Sequence, residues 1–240
     1  MNIRDFSEMH GLKAIVRRHA VYEKPALPVV GDNNAMNSLM CALIYSRTID
    51  PKLLGLNKTG REMMYRQGEL LVKMGILPEL IISGVDQRNQ DGARESAAAI
   101  RALTNRRTAF RAMQKVTYPK YDATRAYEAW QQFGDMAAHM YLAGRPEVKG
   151  LWNESAEAFE ARITSAVTAD YSEGAPVLFD LNFEQLTLLH FLHVEKIGLT
   201  DIPYGPDAWC PKNGGGIAYG TDGMVMEFDP EFQMIIKIVD

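Results

Sequence analysis

Three short apolar runs, set far apart in the chain, constrain what it can fold into more than any other feature. Residues 12–16 (Leu-Lys-Ala-Ile-Val), 79–83 (Glu-Leu-Ile-Ile-Ser) and 177–181 (Val-Leu-Phe-Asp-Leu) have the length and apolar content of buried strands. Stretches of helical period lie between and after them. Residues 57–73 have a capping residue at Thr59 and repeat Met63, Met64, Gln67, Leu70 and Leu71 along one face. Residues 92–103 are alanine-rich without internal breakers. Residues 155–169 start at a capping Ser155 and gather Phe159, Ile163 and Val167 on one side, and residues 184–196 supply another helix. Strands alternating with helices predict an α/β fold: a mainly parallel central sheet flanked by helices on both faces. Two more short strands, residues 223–228 and 234–239, are joined by Asp229-Pro230-Glu231 and predict a closing hairpin. At 240 residues and 47% hydrophobic content, one domain spanning 1–240 suffices, with a helical or loop insertion or lid at roughly 117–152.

In such sheets the ligand site lies beyond the carboxyl ends of the strands. His19, Ser83 and Asn182 each come directly after a predicted strand, so they are expected to converge on one rim. Arg18-His19 carries the chemistry. An imidazole can attack phosphorus, and a planar guanidinium can grip phosphoryl oxygens in a fork. Strand alternation turns Arg17 to the opposite face from Arg18. Residues 22–34, with Pro25, Pro28, Gly31, Asp32 and Asn33, read as the loop that follows.

A net charge of −4 argues against general nucleic-acid coating. The charge is uneven: seven basic residues (Arg101, Arg106, Arg107, Arg111, Lys115, Lys120, Arg125) lie in one stretch with a single acid, Asp122. That run is either a solvated helical face or a cationic rim drawing in an anionic substrate. Cys41 and Cys210 make no disulfide framework and have no metal-type spacing, which points to a reducing compartment. With no signal-like N-terminus and no apolar run of bilayer length, a soluble cytoplasmic protein is expected. His10 and His139 have no partners at metal-ligand spacing. Lys212-Asn213-Gly214-Gly215-Gly216 lacks the ending and setting of a P-loop and reads as a flexible connection. The thirteen methionines suit core filling. No metal and no cofactor is expected. Tyr118, Tyr121, Tyr127, Trp130, Phe133 and Tyr141 would serve base stacking, a lid or a homodimer contact.

The ordered segments resemble the histidine phosphatase superfamily, the phosphoglycerate-mutase-like fold. Ile15-Val16-Arg17-Arg18-His19-Ala20 is similar to its Arg-His-Gly/Ala signature, and Leu56-Asn57-Lys58-Thr59-Gly60 to its Leu-Thr-x-x-Gly. Pro78 to Gly84 resembles the strand before its second arginine, Asn153-Glu154-Ser155 with Phe159 and Arg162 its Gly-Glu-Ser helix, and Pro176 to Asn182 the strand before its second histidine. The closing segment Val225-Met226-Glu227-Phe228-Asp229 also matches.

The resemblance implies a metal-independent phosphomonoesterase with His19 as nucleophile and Arg18 as clamp. Its second arginine aligns with Gln87; Arg88, one residue on, is the favoured substitute and Arg94 the second choice. Its second histidine aligns with Asn182, which can donate a hydrogen bond but carries no charge. His190 and His193 fall further along, on an apolar helix, where packing is the expected role. Glu184, Glu128 and Asp135 are candidates for proton donor, Glu184 foremost because it follows Asn182. The substrate would be a phosphorylated small molecule or a phosphoprotein. The alternative is a catalytically impaired pseudophosphatase that binds a phosphorylated ligand or a protein partner.

Overall fold

The structure, a computed structural model, describes residues 1–22, 53–119, 129, 132–134, 136–169, 175–205 and 208–237. Most of the expected loop at 22–34, together with Cys41, Lys120, Tyr121, Arg125, Tyr127, Glu128, Trp130 and Asp135, lies outside the described residues. Among the described residues there are seven strands: β1 (Ala14–Arg18), β2 (Leu80–Ser83), β3 (Ala109–Ala112), β4 (Val177–Leu181), β5 (Gly216–Tyr219), β6 (Val225–Phe228) and β7 (Met234–Lys237). They form one sheet in the order β3-β2-β4-β1-β5-β6-β7. The four strands from β3 to β1 run parallel, and β5, β6 and β7 continue the sheet antiparallel.

Helices cover both faces, and strand alternation divides the core between them. Ile15, Ile81 and Leu178 pack under α1 (Ile3–His10), α2 (Lys58–Lys73) and α3 (Gln87–Thr104), meeting Phe6, Leu71 and Ala93. Val16, Ile82 and Phe179 point the other way. They meet α4 (Met136–Leu142), α5 (Ala156–Thr168) and α6 (Phe183–Leu189), which contribute Met140, Ile163 and Leu186. Beyond Leu189, α6 widens into a π turn, His190–Val194. No helix among the described residues is long and apolar enough to cross a membrane.

The structure departs from the sequence reading in five places. Asn57, not Thr59, caps α2, its side chain accepting from the Gly60 N–H. α1 was not foreseen, although Asn2 and Asp5 form a capping box. β3 was missed because all four of its residues are exposed, and a run with no buried face has no core-facing pattern. The helix expected from residue 92 starts at Gln87, five residues earlier. Finally, the glycine-rich stretch is no flexible tether. Gly216 opens β5 beside β1, and a Cβ there would overlap the Val16 carbonyl oxygen, so only glycine permits the strands to approach. The hairpin of β6 and β7 is present as expected.

Candidate active site

The carboxyl ends of β1 and β4 set the site. The His19 N–H donates to the Leu181 carbonyl (3.1 Å), which places the imidazole at the rim with 3% of the residue exposed. Its Nδ1 lies 2.8 Å from the Ala20 carbonyl oxygen. A carbonyl only accepts, so Nδ1 is the protonated nitrogen and Nε2 keeps the lone pair. Burial, then the charges of Arg88 and Arg18, hold the imidazole well below its ordinary value of 6.5. His19 is therefore neutral at neutral pH, the state a nucleophile needs.

Two guanidinium groups bear on this histidine. Arg18 is pinned through its backbone: its N–H donates to the Gly215 carbonyl (2.9 Å), and the Gly214 N–H donates to its own carbonyl (3.1 Å). Its side chain donates to the Pro211 carbonyl (2.5 Å) and lies 5.4 Å over the Phe183 ring. Arg88 enters from the first turn of α3. Its Nε donates to Asn182 Oδ1 and a terminal nitrogen to Asp86 Oδ2, both at 3.2 Å. The same Asp86 oxygen accepts from Asn182 Nδ2 at 2.8 Å. The Arg88 guanidinium also stacks 5.0 Å over the Tyr22 ring, which meets His19 edge-on at 5.7 Å.

Glu184, in the first turn of α6, is part-buried. Burial raises its carboxyl above the ordinary 4.5, opposed by Arg88 and Arg18 and assisted by Asp86. Arg88 and Arg18 bear on His19 as well, so the carboxyl shares the site's electrostatic surroundings.

Other sequence candidates lie elsewhere. Gln87 donates to Asp91 one turn on (2.6 Å). Arg94 is half-exposed further along α3, turned to Gln90 and Asp91 and over Phe110, and the structure does not bring it to His19. Arg17, on the opposite face, is fully buried, forked onto Asp180 (2.5 and 3.1 Å) and bonded to Gln67 and Ser96. His190 stacks on Trp209 (3.7 Å) between Glu195 and Glu227, and His193 meets the Tyr219 hydroxyl (2.9 Å). Glu154 grips Arg162 of α5 in a two-point ion pair (2.8 and 2.6 Å). Tyr141 stacks on Trp152 (4.4 Å) and Phe133 packs against the core, so neither offers an open stacking platform. Among the described residues no three His, Cys, Asp or Glu side chains converge as a metal-binding group.

Asp86 and Tyr22 were not anticipated. Asp86 carried a signal, since a capping-type residue stands one place before the helix. Its carboxylate turns away from the helix to Asn182 and Arg88 instead of capping. Tyr22 gave none.

No family model matches the sequence, and no curated protein matches it. Solved structures do match. A mycobacterial glucosyl-3-phosphoglycerate phosphatase superposes with a TM-score of 0.53 at 14% identity, over 94% of this chain and 98% of its own. The structure named mycobacterial hydrolase 2 gives 0.53 at 13%, over 95% and 93%. Phosphoglycerate mutase from Bacillus anthracis gives 0.50 at 13%, over 95% and 92%. The chain has the fold these structures share, the phosphoglycerate-mutase-like fold.

Proposed function

We propose that this protein is a phosphomonoesterase that works through a phosphohistidine at His19 and needs no metal. One observation carries the reading: a buried, neutral imidazole, its Nε2 lone pair unused by the Ala20 bond, under the field of two arginines. In the first step Nε2 attacks phosphorus, the bond to the leaving oxygen breaks, and Glu184 gives that oxygen its proton. Arg18 and Arg88 bind the equatorial oxygens as charge spreads over them. In the second step water attacks phosphorus, its proton passes to the Glu184 carboxylate, and the N–P bond breaks to return neutral His19. Splitting one hard displacement into two is the purpose of the covalent intermediate. The substrate is a phosphorylated small molecule or a phosphoprotein; the phosphatase and mutase that share the fold are named for phosphoglycerate chemistry, which favours the former.

A second reading rests on Asn182 and Asp86. Asn182 brings no positive charge, and Asp86 places a carboxylate directly on Arg88. Both lower the positive field at the phosphoryl group, which is what a protein that binds phosphate without turning it over would show. Hydrolysis of an aryl phosphate in EDTA from pH 4 to 9, by wild type and His19→Ala, separates the two. Activity lost in the variant supports the phosphatase. Vanadate binding with no turnover in either protein supports the silent binder.

A further inference from the structure

Three arginines of the basic run stand away from the site at His19. α3 starts there with Arg88 and leads away, so Arg101 stands about 20 Å along the axis at 1.5 Å per residue. Arg106 and Arg107 follow the end of that helix. That separation exceeds a Debye length of about 8 Å at physiological salt, so a phosphate at His19 scarcely feels these three charges.

What these arginines flank, together with Arg111 and Lys115, is β3, the outer strand of the sheet among the described residues, whose four residues are all exposed. Toward β2, the Ala109 N–H donates to the Glu79 carbonyl (2.8 Å) and the Met113 N–H to the Ser83 carbonyl (2.9 Å). In a parallel ladder alternate residues bond to the same side, so the N–H and C=O of Phe110 and Ala112 point outward. Residues 101–119 hold five basic side chains (Arg101, Arg106, Arg107, Arg111, Lys115) and no acidic one, in a chain where 30 carboxylates outnumber 26 lysines and arginines.

Charges alone would merely guard an edge against aggregation. This edge offers more. Ala109 and Ala112 leave the backbone uncovered, and Phe110, 36% exposed with Arg94 over its ring at 5.6 Å, presents an apolar contact on the α3 side. Arg111 stands on the opposite face by alternation. A second copy of the chain would bring the same arginines together, and that repulsion opposes self-pairing.

We propose that the outer edge of β3 binds an extended acidic segment of a partner protein by strand addition. The partner's carboxylates lie on the Arg111 face and its apolar residues on the Phe110 face. Main-chain bonds supply affinity and alternation supplies selectivity. The proposal holds whether or not His19 turns over phosphoesters.

The test uses a labelled Glu-Val-Glu-Val-Glu-Val-Glu-Val peptide and fluorescence anisotropy at low salt. Two N-methylated forms, one on the glutamates and one on the valines, report which backbone groups are used. Binding should be lost with one of the two. Ala112→Pro removes an outward N–H at a position where an edge strand tolerates proline, and should weaken binding about tenfold. Arg111→Glu should also weaken it, with circular dichroism unchanged in both variants. The proposal fails if wild type does not bind, if both methylated peptides bind like the parent, or if neither variant weakens binding. It also fails if sedimentation equilibrium shows a wild-type dimer that Ala112→Pro dissociates, since the occupant is then a second copy.

Discussion

His19 and Glu184 are moved in opposite directions by the same burial, which gives the site a working range in pH. The imidazole lies below 6.5 and so keeps its lone pair as pH falls through that value, while the carboxyl lies above 4.5 and so keeps its proton further up. For an alkyl phosphate, kcat/KM should therefore persist below pH 6.5 and decline on the alkaline side as Glu184 ionises. Glu184→Gln should abolish that alkaline limb and cost about 100-fold with the alkyl leaving group, far less with an aryl one; pH profiles on both substrates check this. Asn182→His tests the missing charge. Asp86, 2.8 Å from the present amide, would support an imidazolium there, and kcat should rise about tenfold or more in stopped-flow assays. Across the sheet, Arg17→Met would leave Asp180 a buried carboxylate with its charge uncompensated. A loss of about 3–5 kcal/mol in urea unfolding is expected.

Among the elements, those with a core-facing stripe were legible in sequence: β1, β2, β4, α2, α5 and the final hairpin. Those whose reason for existing lies in a neighbour were not. β3 has no buried face, and β5 reads as a glycine-rich loop until β1 lies beside it. The start of α3 was misplaced, and with it the setting of Arg88. Polar residues 87–91 show no helical stripe, because Asn89 and Asp91 are buried by the fold and not by apolarity. The β1–β5 contact carries its own prediction. Gly216→Ala drives a methyl into the Val16 carbonyl, forcing apart the strands that hold Arg18 through Gly215. Stability should drop by about 1–3 kcal/mol, and kcat should fall by more than the lost folded fraction accounts for, as thermal melts and active-fraction assays would show.

Taken whole, the molecule holds a neutral histidine in its interior, and that couples folding to acid. The folded imidazole lies below its ordinary value, so the unfolded chain binds the proton first as pH drops. Stability attributable to His19 is present above about pH 6.5 and is lost as pH falls toward the folded value. His193, also lowered by burial, acts in the same direction. Urea midpoints from pH 7 to 5 should fall more steeply for wild type than for a His19→Gln, His193→Gln protein.

The succession of β1, β2 and β4 with helices between and after them, the placing of Arg18 and His19 at a strand end, and the turning of Arg17 to the other face all follow from local pattern: apolar runs of strand length, helical period, and alternation along β1. These depend on residues within a few positions of one another. Which arginine accompanies His19, what Asn182 bonds to, that Asp86 belongs to the site, and that Arg111 stands on an exposed outer strand depend on residues tens of positions apart. No local preference encodes those contacts. They arise when β2, β4 and β1 line up side by side and bring the starts of α3 and α6 to one rim.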